Sequence, residues 1–339
     1  MQAREGELIE NKDGIIFDVK GLIHPSNKII AFPRFIPTTK GNRTRKKLTY
    51  TKIYNLKERF EFLKENFPEL ITYDSIFDET LCEVPIENII KHYNPIEKLE
   101  KLRISKKVTN LEKKAVDLLT ILKEKANIPW KSIGISGSIL VGLSNLKSDV
   151  DPVIYGTENG FKAYRALKKI LEKDNTEIKA YTREGLKTLF DFRSKDTHMS
   201  FSDFLKVESR KAFQGTFLTT DFFIRFVKDW NQINEKYGNI QYKNCGETRI
   251  VATVVDDSEA LFTPCTFKVK KSQNIEGNTN KLIKEIVSFR GRFCQQALKG
   301  EKIIAQGKIE EVKNKHNKKI HYRLILGSKP TDYMVLSKV

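Results

Sequence analysis

Apolar residues at Leu111, Ala115, Leu118, Leu119, Leu122 and Ala126 recur every three or four positions. That spacing predicts an amphipathic helix over 109–126, with Thr109 or Asn110 as its cap. A second helix is predicted over 158–172, with Phe161, Tyr164, Leu167 and Leu171 inward and Lys162, Arg165, Lys168 and Lys169 outward. Shorter helical patterns cover 56–66, stopping before Phe67-Pro68, then 182–192 and 200–210, the last opened by Ser200 with Asp203 three residues on. Strand-like runs lie at 14–20, 28–34 and 48–54, again at 211–218 and 219–228, and at 248–255 and 265–270. A helix over 280–297 and a long hairpin, 302–312 with 319–327, close the chain.

This mixture predicts an α+β protein of three modules: an N-terminal α+β module (1–104), a site domain (105–240) and a C-terminal β-rich, small barrel-like module (241–339). The chain has no repeat or low-complexity tract. The basic run Arg43, Arg45, Lys46, Lys47 lies between two strand-like stretches and predicts a hairpin with a cationic tip. Together with Tyr50 and Tyr54 it reads equally well as a phosphate- and base-binding element or as a solvated loop.

The chemistry concentrates between 131 and 156. A short strand, Ser132 to Ile135, runs into Gly137-Ser138 and a short apolar helix, and a second strand then carries Asp149-Val150-Asp151-Pro152. A strand, tight turn and helix start offer backbone N–H groups and a hydroxyl to an anion. Strand alternation puts Asp149 and Asp151 on one face, with Val150 turned to the core. Two such carboxylates repel unless a cation lies between them, and oxygen ligands suit Mg²⁺ or Mn²⁺. A metal-held polyphosphate fits this pattern.

With those residues in view, the stretch resembles the signature of the DNA polymerase beta-like nucleotidyltransferase superfamily, in which a Gly-Ser turn precedes an Asp-hydrophobic-Asp strand. More loosely, the chain resembles uncharacterised archaeal proteins described as predicted nucleotidyltransferases. The resemblance implies a polymerase beta-like mixed sheet with helices over 105–240. It also implies transfer of a nucleoside monophosphate from an NTP, with Gly137 and Ser138 at the triphosphate and Asp149 and Asp151 on Mg²⁺ or Mn²⁺. A third carboxylate is expected on a neighbouring strand. Asp221 is the leading candidate, sharing a face with Phe223 and Arg225, and Asp256 and Asp257 compete for the role. Pro152 departs from the aliphatic residue usual at its position and removes a backbone donor.

Composition narrows the partners. The 339 residues are 39% hydrophobic and 31% charged, with a net charge of +18. No apolar run is long enough to span a bilayer and no leader pattern opens the chain, so a cytoplasmic protein without a membrane partner is expected. The positive excess favours polyanions, hence RNA or DNA, with RNA preferred as the acceptor. The four cysteines form no metal or redox spacing and read as buried thiols. Two alternatives stay open: the same chemistry on a protein or small-molecule hydroxyl, and a noncatalytic nucleic-acid binder that keeps the fold.

Overall fold

Alternating apolar residues near the N-terminus build strands β1 (Leu8–Asn11), β2 (Ile16–Val19), β3 (Lys28–Pro37), β4 (Arg43–Arg45) and β5 (Leu48–Lys52). Strands β6 (Ile71–Asp74), β7 (Glu79–Pro85) and β8 (Ile89–Tyr93) complete an eight-stranded sheet. Its main order is β4-β5-β3-β2-β1-β8, with β7 also on β3 and β6 on β7. The computed structural model describes residues 1–173, 176–277 and 280–337. Its contacts divide into two units: Met1–Thr72 with Thr80–Ala180 and Ala212–Ile233, and Tyr73–Glu79 with Tyr181–Lys211 and Asn234–Val339.

In the first unit, helix α1 (Leu56–Asn66) follows the N-terminal hairpin and α2 (Pro95–Ile104) follows β8. Helix α3 (Asn110–Ala126) starts at Thr109, whose hydroxyl accepts from the Glu112 amide while Glu112 accepts from the Thr109 amide. This reciprocal cap satisfies two amides that a helix start leaves unpaired. Ala115, Leu118, Leu119, Leu122 and Ala126 are all buried, as their spacing predicts.

The chain then forms β9 (Ile133–Ile135), the single turn α4 (Gly137–Leu140), β10 (Pro152–Tyr155) and α5 (Thr157–Leu171). Strand β11 (Ile178–Lys179) leads to the hairpin β12 (Gln214–Phe217) and β13 (Thr220–Phe223), and β14 (Arg225–Val227) follows. Strand β10 is central in a mixed sheet, antiparallel to β9 and parallel to β14. The turn from β12 to β13 is Leu218-Thr219, both at positive φ.

The N-terminal sheet shares a core with the turn after β9. Leu8, Ile16, Phe35, Tyr50 and Tyr93 pack with Leu140, Val141 and Leu143 in one buried cluster. Gly134 allows the start of α2 to lie against β9, since a Cβ there would come within 2.8 Å of the Pro95 carbonyl carbon.

The second unit holds α6 (Arg183–Arg193), α7 (Phe201–Glu208) and strands β15 (Ile240–Asp256), β16 (Cys265–Glu276), β17 (Ile283–Ser288), β18 (Lys302–Asn314), β19 (Ile320–Leu326) and β20 (Tyr333–Leu336). The strands run in the order β15-β16-β17-β19-β18, and pairing of β18 with β15 closes a five-stranded barrel, with β20 added to β18. Only the β17–β19 contact is parallel. Closure removes the exposed strand edges that a small sheet would otherwise present.

The protein is thus α+β with mixed sheets, a β-rich N-terminal region and a C-terminal barrel. One expected element is replaced. The helix anticipated over 280–297 is β17 followed by a single tight turn at Gly291–Phe293. Ile283, Ile286 and Val287 have helical spacing, yet they are β-branched and buried between β16 and β19. Strand pairing on both sides outweighs the helical period. The expectation of buried thiols holds for Cys82, Cys265 and Cys294, whereas Cys245 is half-buried.

Candidate active site

Val150 forms a parallel bridge with Phe222: its amide donates to the Asp221 carbonyl at 2.9 Å, and its carbonyl accepts from Phe223 at 3.1 Å. The register resumes at Val153–Arg225. Between the two lies Pro152, which has no N–H to continue the ladder, so pairing lapses for one step. Directly opposed residues of parallel strands point to the same side. Asp149 and Asp151 therefore share a face with Asp221 and Arg225, while Val150, Phe222 and Phe226 are buried on the other. Asp149 and Asp151 are half-buried and Asp221 is exposed.

The turn before α4 is built around Asp151. Gly137 has φ +60, and a Cβ there would stand 2.7 Å from Asp151 Cγ and closer still to Oδ2. Only glycine lets the carboxylate lie flat on this turn. The Ser136 amide donates to the Asp151 carbonyl at 2.8 Å, and Ser136 Oγ donates to the Gly6 carbonyl at 2.6 Å. Ser138 is fully buried, and among the described residues its hydroxyl has no hydrogen-bond partner. That orphaned polar atom is one a buried site seldom keeps without a use. The helix after the turn is one turn long, too short to add a macrodipole to the turn's own N–H groups.

Burial raises the Asp151 carboxyl, and the neighbouring Asp149 raises it further; Lys52, Arg34 and Arg225 pull it back, leaving it at about 6. Asp18 lies in the same field. Burial raises its carboxyl too, but Lys20, Arg59, Arg225 and Arg34 together hold it well below the usual carboxylate range. Arg225 is joined to the buried Glu5 at 2.6 Å. Arg34 and Lys52 come from β3 and β5, outside the stretch that carries the motif. Their sequence signal was slight: single cations in a run already read as a strand.

The other sequence candidates fall elsewhere. Arg43 is buried and donates to the Leu143 carbonyl at 2.6 Å and to Ser148 Oγ at 3.1 Å. Arg45 pairs with Glu10 at 2.5 Å and also donates to the hydroxyls of Tyr50 and Tyr93. Both guanidiniums thus pin the hairpin instead of facing solvent, because a buried cation must find acceptors. Only Lys46 and Lys47, at positive φ in the turn, form the exposed cationic tip. Asp256 and Asp257 belong to the barrel unit, where Asp256 binds Lys268 at 3.0 Å and Asp257 accepts from the Lys299 amide.

Two adjacent carboxylates on one face, with one packed on glycine, form a donor set suited to a hard divalent cation. Among the described residues, no three His, Cys, Asp or Glu side chains are gathered to hold a metal ion. No helix among them is long and apolar enough to cross a membrane.

Compared with known proteins, the chain is 34% identical over 336 residues to the uncharacterized protein MJ1086 of Methanocaldococcus jannaschii, covering 97% of this chain and 96% of that one. It belongs to the same family. The match spans both units, so each is part of the family's common architecture. No family model and no solved structure matches the chain.

Proposed function

We propose that the protein is a nucleotidyltransferase of polymerase beta-like fold that moves a nucleoside monophosphate from an NTP to a nucleic-acid 3′ hydroxyl, RNA being the favoured acceptor. The reading rests on one observation: Asp149, Asp151 and Asp221 share a face of adjacent parallel strands, with Asp151 packed on the Gly137 turn. The order β9, Gly-Ser turn, β10, α5, then a parallel strand beside β10, further supports it.

In the proposed reaction the acceptor oxygen forms a bond to the α-phosphorus, the bond from that phosphorus to the α–β bridging oxygen breaks, and pyrophosphate departs. The hydroxyl proton passes to a carboxylate on the Asp face. Asp149 and Asp151 are the residues that would hold Mg²⁺ or Mn²⁺, which when bound supplies neutralisation of the charge developing on the phosphates. The half-buried carboxylates orient the acceptor, and the buried core beneath Val150 and Phe222 keeps their strands in register.

A second reading, a noncatalytic nucleic-acid binder, draws on the absence of a three-ligand cluster among the described residues. One experiment separates the two. The protein is incubated with each labelled NTP, Mg²⁺ or Mn²⁺, and a mixture of tRNA, single-stranded RNA and DNA, beside the Asp149→Asn/Asp151→Asn variant. Transfer to nucleic acid by the unmodified protein alone supports the proposal. Label on protein or a small molecule redirects the acceptor, and no transfer with equal RNA binding by both proteins favours the binder.

A further inference from the structure

Strands β3 and β5 carry two cations, Arg34 and Lys52, that act on Asp151 from a distance without a direct ion pair. Among the described residues, neither Arg34 nor Lys52 has a carboxylate within ion-pair distance, although both are half-buried. Every other cation acting on Asp18 or Asp151 is spoken for: Lys20 bonds Asp18 at 2.9 Å, Arg59 lies 4.0 Å from Asp18, and Arg225 holds Glu5. Half-buried cations with no direct ion pair leave their hydrogen-bond donors open to an anionic ligand.

Both cations lie against one aromatic ring. The Arg34 guanidinium lies 4.7 Å and the Lys52 ammonium 4.8 Å from the centre of the Tyr54 ring, and Tyr54 is 46% exposed. Arg34 is itself fixed by donating to the Ile53 carbonyl at 3.1 Å. The N-terminal sheet carrying these residues is tied to the Gly-Ser turn through the shared core, the Ser136–Gly6 bond and the Arg43 hydrogen bonds. Its cations therefore keep a fixed relation to the carboxylates.

We infer that Arg34 and Lys52 bind the phosphates of a nucleoside triphosphate and that Tyr54 stacks on its base, so that the N-terminal sheet supplies half of the nucleotide site. The inference deepens the proposed function and rests on it for the identity of the ligand. It assigns the polyphosphate to cations lying more than 80 residues before Asp149, and it makes base binding a matter of stacking, which tolerates any base.

The test is calorimetric binding to the full-length protein, without acceptor, of ATP and of inorganic triphosphate. Lys52→Met and Arg34→Met are each expected to weaken both ligands about tenfold or more, as loss of a charge-assisted contact does, with Lys52→Arg restoring most of the affinity. Tyr54→Leu is expected to weaken ATP about tenfold and leave inorganic triphosphate unchanged, while Tyr54→Phe binds both like the parent. Circular dichroism confirms that each variant is folded.

Unchanged triphosphate binding in both cation variants overturns the phosphate assignment, and equal loss of both ligands in Tyr54→Leu overturns the stacking. Cation variants that lose RNA binding but keep triphosphate binding also overturn it, moving these residues to the acceptor. The label-transfer assay keeps the two ideas apart. Triphosphate binding that depends on Lys52, without transfer by the parent, sinks the transferase and spares the site; transfer at the parent's rate in both cation variants does the reverse.

Discussion

At the scale of single residues, the site depends on one contact that has no slack. The Asp151 carboxylate occupies the space where a Gly137 side chain would begin, and Gly137 is also at positive φ. Gly137→Ala is therefore expected to cost about 2–4 kcal/mol and displace the carboxylate, read as a lower midpoint in urea together with loss of the proposed transfer. Asp151 gives a pH-dependent counterpart. Its folded pKa of about 6 lies above the ordinary aspartate value of about 4, so between about pH 4 and 6 the folded state binds more protons than the unfolded one. Stability from this group is present below that window, falls as pH rises through it, and stays lower above. At pH 7, Asp151→Asn should stabilise the metal-free protein by roughly 1–3 kcal/mol, and at pH 3 by little. Thermal melts at the two pH values check this, and a variant less stable than the parent at pH 7 contradicts it. Asp149→Asn should lower the Asp151 midpoint by removing a repelling neighbour, as a carboxyl NMR titration would show. The motif's Asp pair and glycine were legible because strand alternation and glycine's freedom are local rules. The partners Arg34 and Lys52 were not, since nothing in one sequence says which distant strand ends arrive beside a given carboxylate.

At the scale of elements, the β4–β5 hairpin shows how a correct outline can carry a different chemistry. Its strands and cationic tip follow from the alternation of 43–52, but the side on which each arginine lies is set by tertiary packing. Arg43 reaches from β4 to the segment after α4, a sequence separation of 100 residues. Arg43→Met removes two buried charge-assisted bonds and is expected to cost about 2–4 kcal/mol, which lowers the melting temperature without a specific effect on nucleic-acid binding. The tip behaves oppositely. Lys46 and Lys47 occupy positive φ at 48° and 68°, a turn that Asn-Gly prefers. Lys46→Asn/Lys47→Gly should leave stability unchanged or raise it by up to about 1 kcal/mol, and an RNA affinity equal to the parent's would show that the tip makes no phosphate contact. The helices at 56–66 and 109–126 were readable because a cap and an apolar face agree there. Over 280–288 the two signals conflict, with a helical period written in β-branched residues, and the sheet partners that decide the matter lie at 265–268 and 322–326.

At the scale of the whole molecule, the charge of +18 matters through where the cations stand. Many are consumed within the fold, as Arg43, Arg45 and Arg323 show, the last bonding Glu310 at 2.8 Å. Others are presented to solvent. The end of β18 and the turn to β19 carry Lys313, Lys315, Lys318 and Lys319, all exposed, on the closed five-stranded barrel. Buried cations contribute nothing to counterion release, whereas exposed ones on a binding surface release about 0.7 counterions per neutralised phosphate of a single strand. If the proposed RNA acceptor lies along this turn, replacing its four lysines with glutamine should reduce the slope of log affinity against log salt by up to about 3 units. The measurement is fluorescence anisotropy of a labelled single-stranded RNA between 50 and 200 mM salt, where affinity of the parent should fall steeply. The same substitutions should leave binding of inorganic triphosphate untouched, because that site is assigned to Arg34 and Lys52 in the first unit. An unchanged salt slope would take the barrel turn out of the RNA path, and a lost triphosphate site would show that the lysines act on the fold instead of on the strand.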